Sequence, residues 1–293
     1  MLKIIKRSIQ TGVVTNAYPE IIAEPPEGLR GKPEIDFARC TACEKCASAC
    51  PTDAISIQMS NADGIESRVE KILTLNYGDC IFCGECEVAC PDTIYLSKEF
   101  QLAARCKDDL VSRATYRQNT SGDFEFVELT SKPSSSQPSI NDIGSKLQQK
   151  IQEIFGRSLH IREVDAGSCN GCEVEITALN NSIYDIERFG IHFVASPRHA
   201  DMLLVTGPVT RNMEIALKQT FEATPGPKLV VAVGACAIGG GIFGASYASC
   251  GGVDNVIPVD VFIPGCPPRP EALLQGILLA IDKWQRNENK KGG

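Results

Sequence analysis

Hydrophobic positions follow different rhythms in different parts of the chain. Near the start, Leu2, Ile5 and Ile9 recur at helical spacing beside Lys3, Lys6 and Arg7 with no acid among them, which predicts a short basic amphipathic helix. Such a helix could rest on a membrane surface or on a partner subunit, and its shortness favours docking on a partner. Pro19, Pro25, Pro26 and Pro33 break regular structure before Ile35. Alternation then takes over in Ala54–Met59 and again in Lys71–Leu75, with a polar turn at Asn61-Ala62-Asp63-Gly64 between them, which predicts a hairpin. Residues 98–117, with Leu102, Arg105 and Leu110 among mixed charges, read as a helix that would include Cys106. Residues 131–145 are rich in serine and proline and free of aromatics, the clearest linker in the chain.

After the linker the rhythm changes again. A helix at Lys146–Phe155 leads to a strand near Leu159–Val164. Short apolar runs at 202–205, 229–233 and 259–263 are separated by helical periods. Such runs imply βαβ units and a parallel sheet. Each later run ends in small residues, Thr206-Gly207-Pro208, Gly234-Ala235-Cys236 and Pro264-Gly265-Cys266, where open parallel sheets place their ligands. The division expected is an arm at 1–34, a unit at 35–120, a linker over 121–145 and a second unit at 146–293.

Composition narrows the class. The 293 residues, 43% of them hydrophobic, are enough for two buried cores. Fourteen cysteines in tight clusters suit metal ligation better than disulfide bridging. The N-terminus does not read as a signal peptide, and no apolar run approaches the roughly 18 residues of a membrane span, so a reducing, cytoplasmic setting is expected. A net charge of −7 without a strong basic stripe argues against nucleic acid as a partner.

The chemistry begins with a cysteine run that occurs twice. Cys40, Cys43, Cys46 and Cys50 precede Pro51, and Cys80, Cys83, Cys86 and Cys90 precede Pro91. Each reads C-x2-C-x2-C-x3-C-P, the spacing that holds cubane iron–sulfur clusters in two-cluster ferredoxins, where the fourth cysteine of each run ligates the other cluster. On that rule one cluster takes Cys40, Cys43, Cys46 and Cys90, and the other Cys80, Cys83, Cys86 and Cys50. Structural zinc also uses C-x2-C, but two matching runs with a trailing proline disfavour it. A sparser set, Cys169, Cys172, Cys236 and Cys266, falls at strand–loop junctions of one predicted α/β unit and could converge, with Gly167, Gly171, Gly234 and Gly265 close by to let backbone amides approach. Gly239-Gly240-Gly241 and Gly244 lack the pattern of a phosphate loop, so nucleotide binding is rejected.

Taken jointly, the motifs of residues 158–284 resemble the cluster-bearing small subunit shared by respiratory complex I and [NiFe] hydrogenases. The resemblance rests on Gly167-Ser168-Cys169-Asn170-Gly171-Cys172-Glu173-Val174-Glu175, Pro197-Arg198-His199-Ala200-Asp201, Thr206-Gly207-Pro208-Val209-Thr210, Gly234-Ala235-Cys236-Ala237-Ile238-Gly239-Gly240 and Pro264-Gly265-Cys266-Pro267-Pro268-Arg269-Pro270. It implies that Cys169, Cys172, Cys236 and Cys266 hold a single [4Fe-4S] cluster facing a large subunit. Complex I carries adjacent cysteines at the first position, whereas C-N-G-C here resembles the membrane-associated, energy-converting (group 4) hydrogenases, including formate hydrogenlyase. The absence of the twin-arginine leader of exported hydrogenases agrees. Residues 1–120 resemble the two-cluster ferredoxin subunit of the same complexes, so the chain looks like a fusion of two subunits. The fold class implied is an α+β ferredoxin-like N-terminal domain plus an α/β flavodoxin-like, parallel-sheet C-terminal domain, with three [4Fe-4S] clusters in all.

The resemblance also implies partners: a [NiFe] large subunit, membrane-embedded complex I-like subunits, and an electron donor such as ferredoxin or formate dehydrogenase. The chain would sit on the inner face of the cell membrane through them, as an electron relay that does no nickel chemistry itself. The alternative is the equivalent subunit of a complex I-like or sulfur-reducing complex without nickel. Glu173 and Glu175 could relay protons or simply favour a helix start. His199, with Arg198, could face a partner or the cluster, and Arg198 and Arg269 could stabilise the cluster's negative charge or form ordinary salt bridges. His160 and His192 have no ligand spacing. Cys106 and Cys250 read as small buried residues, Cys250 being the better competitor as a ligand.

Overall fold

The computed structural model describes residues 2–22, 24–61, 69–131, 151–152 and 156–291. Its first element, α1 (Leu2–Thr11), is the helix expected from the Leu2, Ile5, Ile9 spacing, and Ile4, Ile5 and Ile9 stand exposed on it. The segment after α1 does dock, but onto the second half of this same chain. Arg188 donates to the carbonyls of Asn16 and Tyr18 at 2.6 Å each, the Asn16 amide donates to the Ile183 carbonyl at 2.8 Å, and the Tyr18 ring is buried in that half's core.

The first half continues through β1 (Pro33–Ile35), α2 (Lys45–Ala49), β2 (Ile55–Asn61), β3 (Val69–Asn76), α3 (Glu85–Ala89), β4 (Ile94–Leu96), β5 (Val111–Gln118) and β6 (Phe124–Ser131). β1 pairs antiparallel with β4, Ile35 opposite Ile94, which holds the chain before Cys40 beside the chain after Cys90. The predicted hairpin pairs Ile55 with Leu75 through to Asn61 with Val69, while Ala62-Asp63-Gly64 of its expected turn lie outside the described residues. It belongs to a four-stranded antiparallel sheet in the order β2-β3-β5-β6. Leu73, Leu75, Ala114 and Tyr116 point from it into the core.

The helix expected over 98–117 is not formed. The chain makes one 3₁₀ turn, Lys107–Leu110, and then β5, in which buried Ser112, Ala114 and Tyr116 alternate with outward-facing Arg113, Thr115 and Arg117. Pairing with β3, from Asn76 opposite Val111 to Glu70 opposite Arg117, satisfies the backbone that a helix would have satisfied locally. Residues 124–131, inside the stretch expected as linker, form the edge strand β6, where Phe126 packs against Phe37 and Tyr116. Residues 132–145 of that linker and most of the helix expected at Lys146–Phe155 lie outside the described residues.

The second half contains β7 (Leu159–Asp165), α4 (Gly171–Ala178), β8 (Ile191–Phe193), β9 (Met202–Thr206), α5 (Arg211–Ala223), β10 (Leu229–Val233), α6 (Gly234–Gly239), β11 (Val261–Ile263) and α7 (Pro270–Lys291). Its strands form one parallel sheet in the order β11-β10-β9-β7-β8. Every residue of β9 and β10 is buried, as expected of central strands covered on both faces. β8, only three residues long, is an edge strand that the apolar pattern did not announce. The opposite edge, β11, is capped by the first half: Ala104 and Phe262 exchange both backbone hydrogen bonds, at 2.9 and 2.8 Å. Arg105 pairs with Asp282 and Lys107 with Asp254 across the same seam. One buried cluster accordingly runs from Leu73, Leu75 and Tyr116 to Val230, Ile238 and Phe262.

Candidate metal centres

The structure gathers twelve cysteines into three baskets. In the first, Cys40, Cys43, Cys46 and Cys90 line a cleft of about 370 Å³ with Ile35 and Leu73 on its inner wall. The loop turns through left-handed backbone at Ala42 (φ 50) and Glu44 (φ 69) before entering α2. Such strain in non-glycine residues persists only where surrounding contacts over-determine it. The turn aims the Ala42 amide at Cys40 Sγ, 3.4 Å away. Burial pushes the Cys46 thiol up to about 12, and the charges of Cys90, Cys40 and Cys43 push the same way.

The second basket repeats this geometry with Cys80, Cys83, Cys86 and Cys50. Phe82 (φ 56) and Gly84 (φ 87) take the two left-handed positions, and the Phe82 amide donates to Cys80 Sγ at 3.4 Å. Burial raises Cys80 to about 12, partly opposed by that amide and reinforced by Cys86, Cys50 and Cys83. Burial is also the first cause of the rise of Cys86 to about 11, with Cys83 and Cys50 adding to it. The fourth cysteine of each run thus stands with the first three of the other.

The third basket is built at the carboxyl ends of parallel strands. Cys169 and Cys172 follow β7, Cys236 lies in α6 after β10, and Cys266 follows β11. Burial raises Cys172, with Glu173, Cys236, Cys266 and Cys169 adding like charge. Burial, then Cys266 and Cys169, raises Cys236 to about 11. Cys169 and Cys266 are exposed, so one side of the basket is open, while Cys172 and Cys236 form its inner wall. Backbone closeness is enforced by glycine: a Cβ on Gly234 (φ +87) would lie 2.8 Å from Cys172 Sγ and 3.3 Å from the Gly265 carbonyl.

These groupings fit iron–sulfur clusters chemically. The inner-wall thiols of Cys46, Cys80, Cys86, Cys172 and Cys236, which burial and like charge hold protonated, become stable thiolates only around a cationic core. Short glycine-lined walls and amides aimed at sulfur suit a bulky cluster whose sulfides accept hydrogen bonds. Among the described residues no three His, Cys, Asp or Glu side chains close around one point tightly enough for a single ion.

The remaining candidates fall in several places. The Thr206 hydroxyl donates to Glu173 Oε1, and Glu173 Oε2 is buried without a protein partner. The Glu175 carboxyl is raised by burial and then by Glu271, against the pull of Arg269. Arg269 pairs with Glu271 at 3.1 Å and lies over the Phe100 ring. Arg198 and His199 line a separate cleft of about 520 Å³ with Arg157 and His160, and no cysteine reaches it. Cys250 is turned to Glu214 at 3.5 Å and exposed Cys106 to Asp109 at 2.9 Å, so neither joins a basket.

Two features have little or no signature in the sequence. Glu163, half-buried on β7, has an unpartnered Oε1 and is raised by burial and then by Glu173; its only signal is an acid inside a strand of mixed polarity. A cleft of about 400 Å³ between the halves is lined by Cys83 of the second basket and Cys266 of the third, with Phe82, Phe100 and Pro267 around them. Arg30 steadies its rim by donating to the Cys83 carbonyl at 2.8 Å.

Fold and baskets together define an iron–sulfur protein of the electron-transfer class. Residues 39–94 match the 4Fe-4S dicluster domain, and residues 169–280 match the family described as NADH ubiquinone oxidoreductase, 20 Kd subunit. The chain belongs to that 20 kDa subunit family. It is 50% identical over 146 residues to the probable membrane-bound hydrogenase subunit mbhJ of Pyrococcus furiosus, covering 49% of this chain and 87% of that one. It is 45% identical over 154 residues to formate hydrogenlyase subunit 7 of Escherichia coli, covering 53% of this chain and 59% of that one. It is 49% identical over 121 residues to an NADH-quinone oxidoreductase subunit of Citrifermentans bemidjiense, covering 41% of this chain and 71% of that one.

Proposed function

We propose that this chain is the iron–sulfur relay subunit of a membrane-associated [NiFe] hydrogenase assembly of the formate hydrogenlyase kind. The observation that carries the reading is the shared cleft: Cys83 and Cys266, from two different baskets, line one cleft within a single chain. Three [4Fe-4S] clusters would be held by Cys40, Cys43, Cys46 and Cys90, by Cys80, Cys83, Cys86 and Cys50, and by Cys169, Cys172, Cys236 and Cys266. Bound there, they supply one-electron carriage. The protein's part is to fix the thiolates, exclude water from the inner walls and hold the baskets in series.

In this reading the first half is a ferredoxin-like domain that meets the donor, a reduced ferredoxin or a formate dehydrogenase. The second half is a flavodoxin-like domain whose open side, at exposed Cys169 and Cys266, meets a nickel–iron large subunit. Glu173 and Glu175 are the proton-relay candidates beside that side. Among the described residues no helix is long and apolar enough to cross a membrane, so attachment to the cytoplasmic face is assigned to complex I-like membrane partners. The spacing Cys169-Asn170-Gly171-Cys172 supports the hydrogenase branch. The identity to the quinone oxidoreductase subunit supports a second reading, the same relay in a nickel-free complex, and nickel content of the purified assembly separates the two.

The relay is tested by iron and acid-labile sulfide in anaerobically purified chain. About twelve of each is expected, falling by about four in Cys266→Ser. A fully loaded chain with about eight would remove the third cluster from the scheme.

A further inference from the structure

The two halves meet closely at a pair of glycines. Gly239 closes α6 three residues after Cys236, and Gly78 lies two residues before Cys80. A Cβ on Gly239 would lie 1.6 Å from Asp79 Oδ1 and 2.8 Å from its Cγ, and a Cβ on Gly78 would lie 2.9 Å from Ile238 Cγ2. Gly239 is a helical residue outside the left-handed region. Glycine there costs about 1 kcal/mol against alanine, so the helix itself gives no reason for it. Asp79 does. Its carboxylate is fixed from its own side by the Asn76 amide, which donates to Oδ2 at 2.5 Å, while Asn76 Oδ1 accepts from the Gly78 amide at 3.0 Å. Lys107 of the same half bonds Asp254 of the other at 2.7 Å, which braces the seam. The chain segments carrying Cys80 and Cys236 therefore touch where either glycine, given a side chain, would wedge them apart.

We propose that Gly239 is a positioning residue for transfer between the second and third baskets: by letting Asp79 seat against the end of α6, it fixes the separation of Cys80 and Cys236. The inference rests on the relay reading above. The test uses the full chain, anaerobically loaded and reduced. Electron paramagnetic resonance of the unaltered chain is expected to show, in addition to the magnetic interaction between the reduced first and second clusters, one between the second and third. Gly239→Ala is expected to keep its iron and sulfide but lose much of that interaction, with slower reduction of the third site when electrons enter from the first half. Adding Asp79→Ala is expected to restore both, because it removes the clashing carboxylate.

Unchanged interaction in Gly239→Ala overturns the proposal, as does a double variant no better than the single one. If Gly239→Ala does not accumulate in loaded form, Gly78→Ala opens the same seam from the other side and is read in the same way. A fully loaded, unaltered chain without interaction between the second and third clusters would instead overturn the relay reading itself.

Discussion

Gly234 shows how narrow the tolerances are at single residues. It combines a left-handed backbone (φ +87) with a Cβ position 2.8 Å from Cys172 Sγ. Alanine there incurs roughly 1–2 kcal/mol of backbone strain and pushes directly on a proposed ligand. Gly234→Ala is expected to lose about four irons per chain while the first two baskets stay loaded; unchanged iron content would show that the wall can retreat. Glu163 illustrates the opposite problem, a group the fold would prefer neutral. Its carboxyl titrates above the ordinary 4.5 because it is half-buried and faces Glu173. A raised carboxyl supports the folded state fully below its unfolded pKa, and that support is lost as pH rises through the folded value. Glu163→Gln is therefore expected to match the parent chain below about pH 4.5 and to melt higher than it as pH rises above that value. A thermal shift independent of pH would mean that Glu163 titrates alike in the folded and unfolded chain. Gly234 was legible in sequence as a glycine two residues before Cys236 that allows close approach, though its contact with Cys172 was not. Glu163 was not legible, because its burial and its facing of Glu173 are set by the fold.

At the level of elements, the period-two and parallel-strand signals carried most of the architecture, and the departures from them share a cause. Leu102, Arg105 and Leu110 happen to fall at helical intervals, but the segment after them is claimed by the open edge of β3. β6 follows because β5 in turn offers an edge, so Phe124–Ser131 is strand where composition suggested linker. Tertiary pairing overrides local rhythm in both cases. Local propensity is overridden on α7 as well. Gly276 sits within that helix although alanine would suit it better, because a Cβ there would lie 2.2 Å from Ile263 Cδ1 and 2.4 Å from its Cγ1. Ile263 is buried on β11, so it has little room to move. Gly276→Ala is expected to cost about 1–3 kcal/mol through overpacking, with Ile263→Val in the same chain recovering part of it in denaturant titrations. A stabilised Gly276→Ala would show that helix propensity outweighs the contact.

At the scale of the whole molecule, the two halves are less separable than a linker would suggest. Tyr18, from the arm, is 2% exposed within the second half's core; Ala104 extends that half's sheet; and one buried cluster crosses from β3 and β5 to β10 and β11. Arg188 adds the clamp on the arm and Lys107 the brace at the seam. Each of these contacts requires both halves to be folded, so unfolding either one exposes apolar surface on the other. A single cooperative transition is therefore expected in anaerobic calorimetry. Truncating Tyr18 to alanine should lower its midpoint for the whole chain, at a cost of roughly 3 kcal/mol for a large buried aromatic. Removal of iron by a chelator should act in the same direction. The baskets are left without their cationic cores, and the binding free energy that had contributed to folding is lost. Because the third basket lies where β7, β10 and β11 end, and the second lies against the seam, chelation should lower the stability of both halves together. Two well-separated transitions, with the first half melting at an unchanged temperature in Tyr18→Ala, would instead mean that the shared core contributes little and that the halves behave as independent units on one chain.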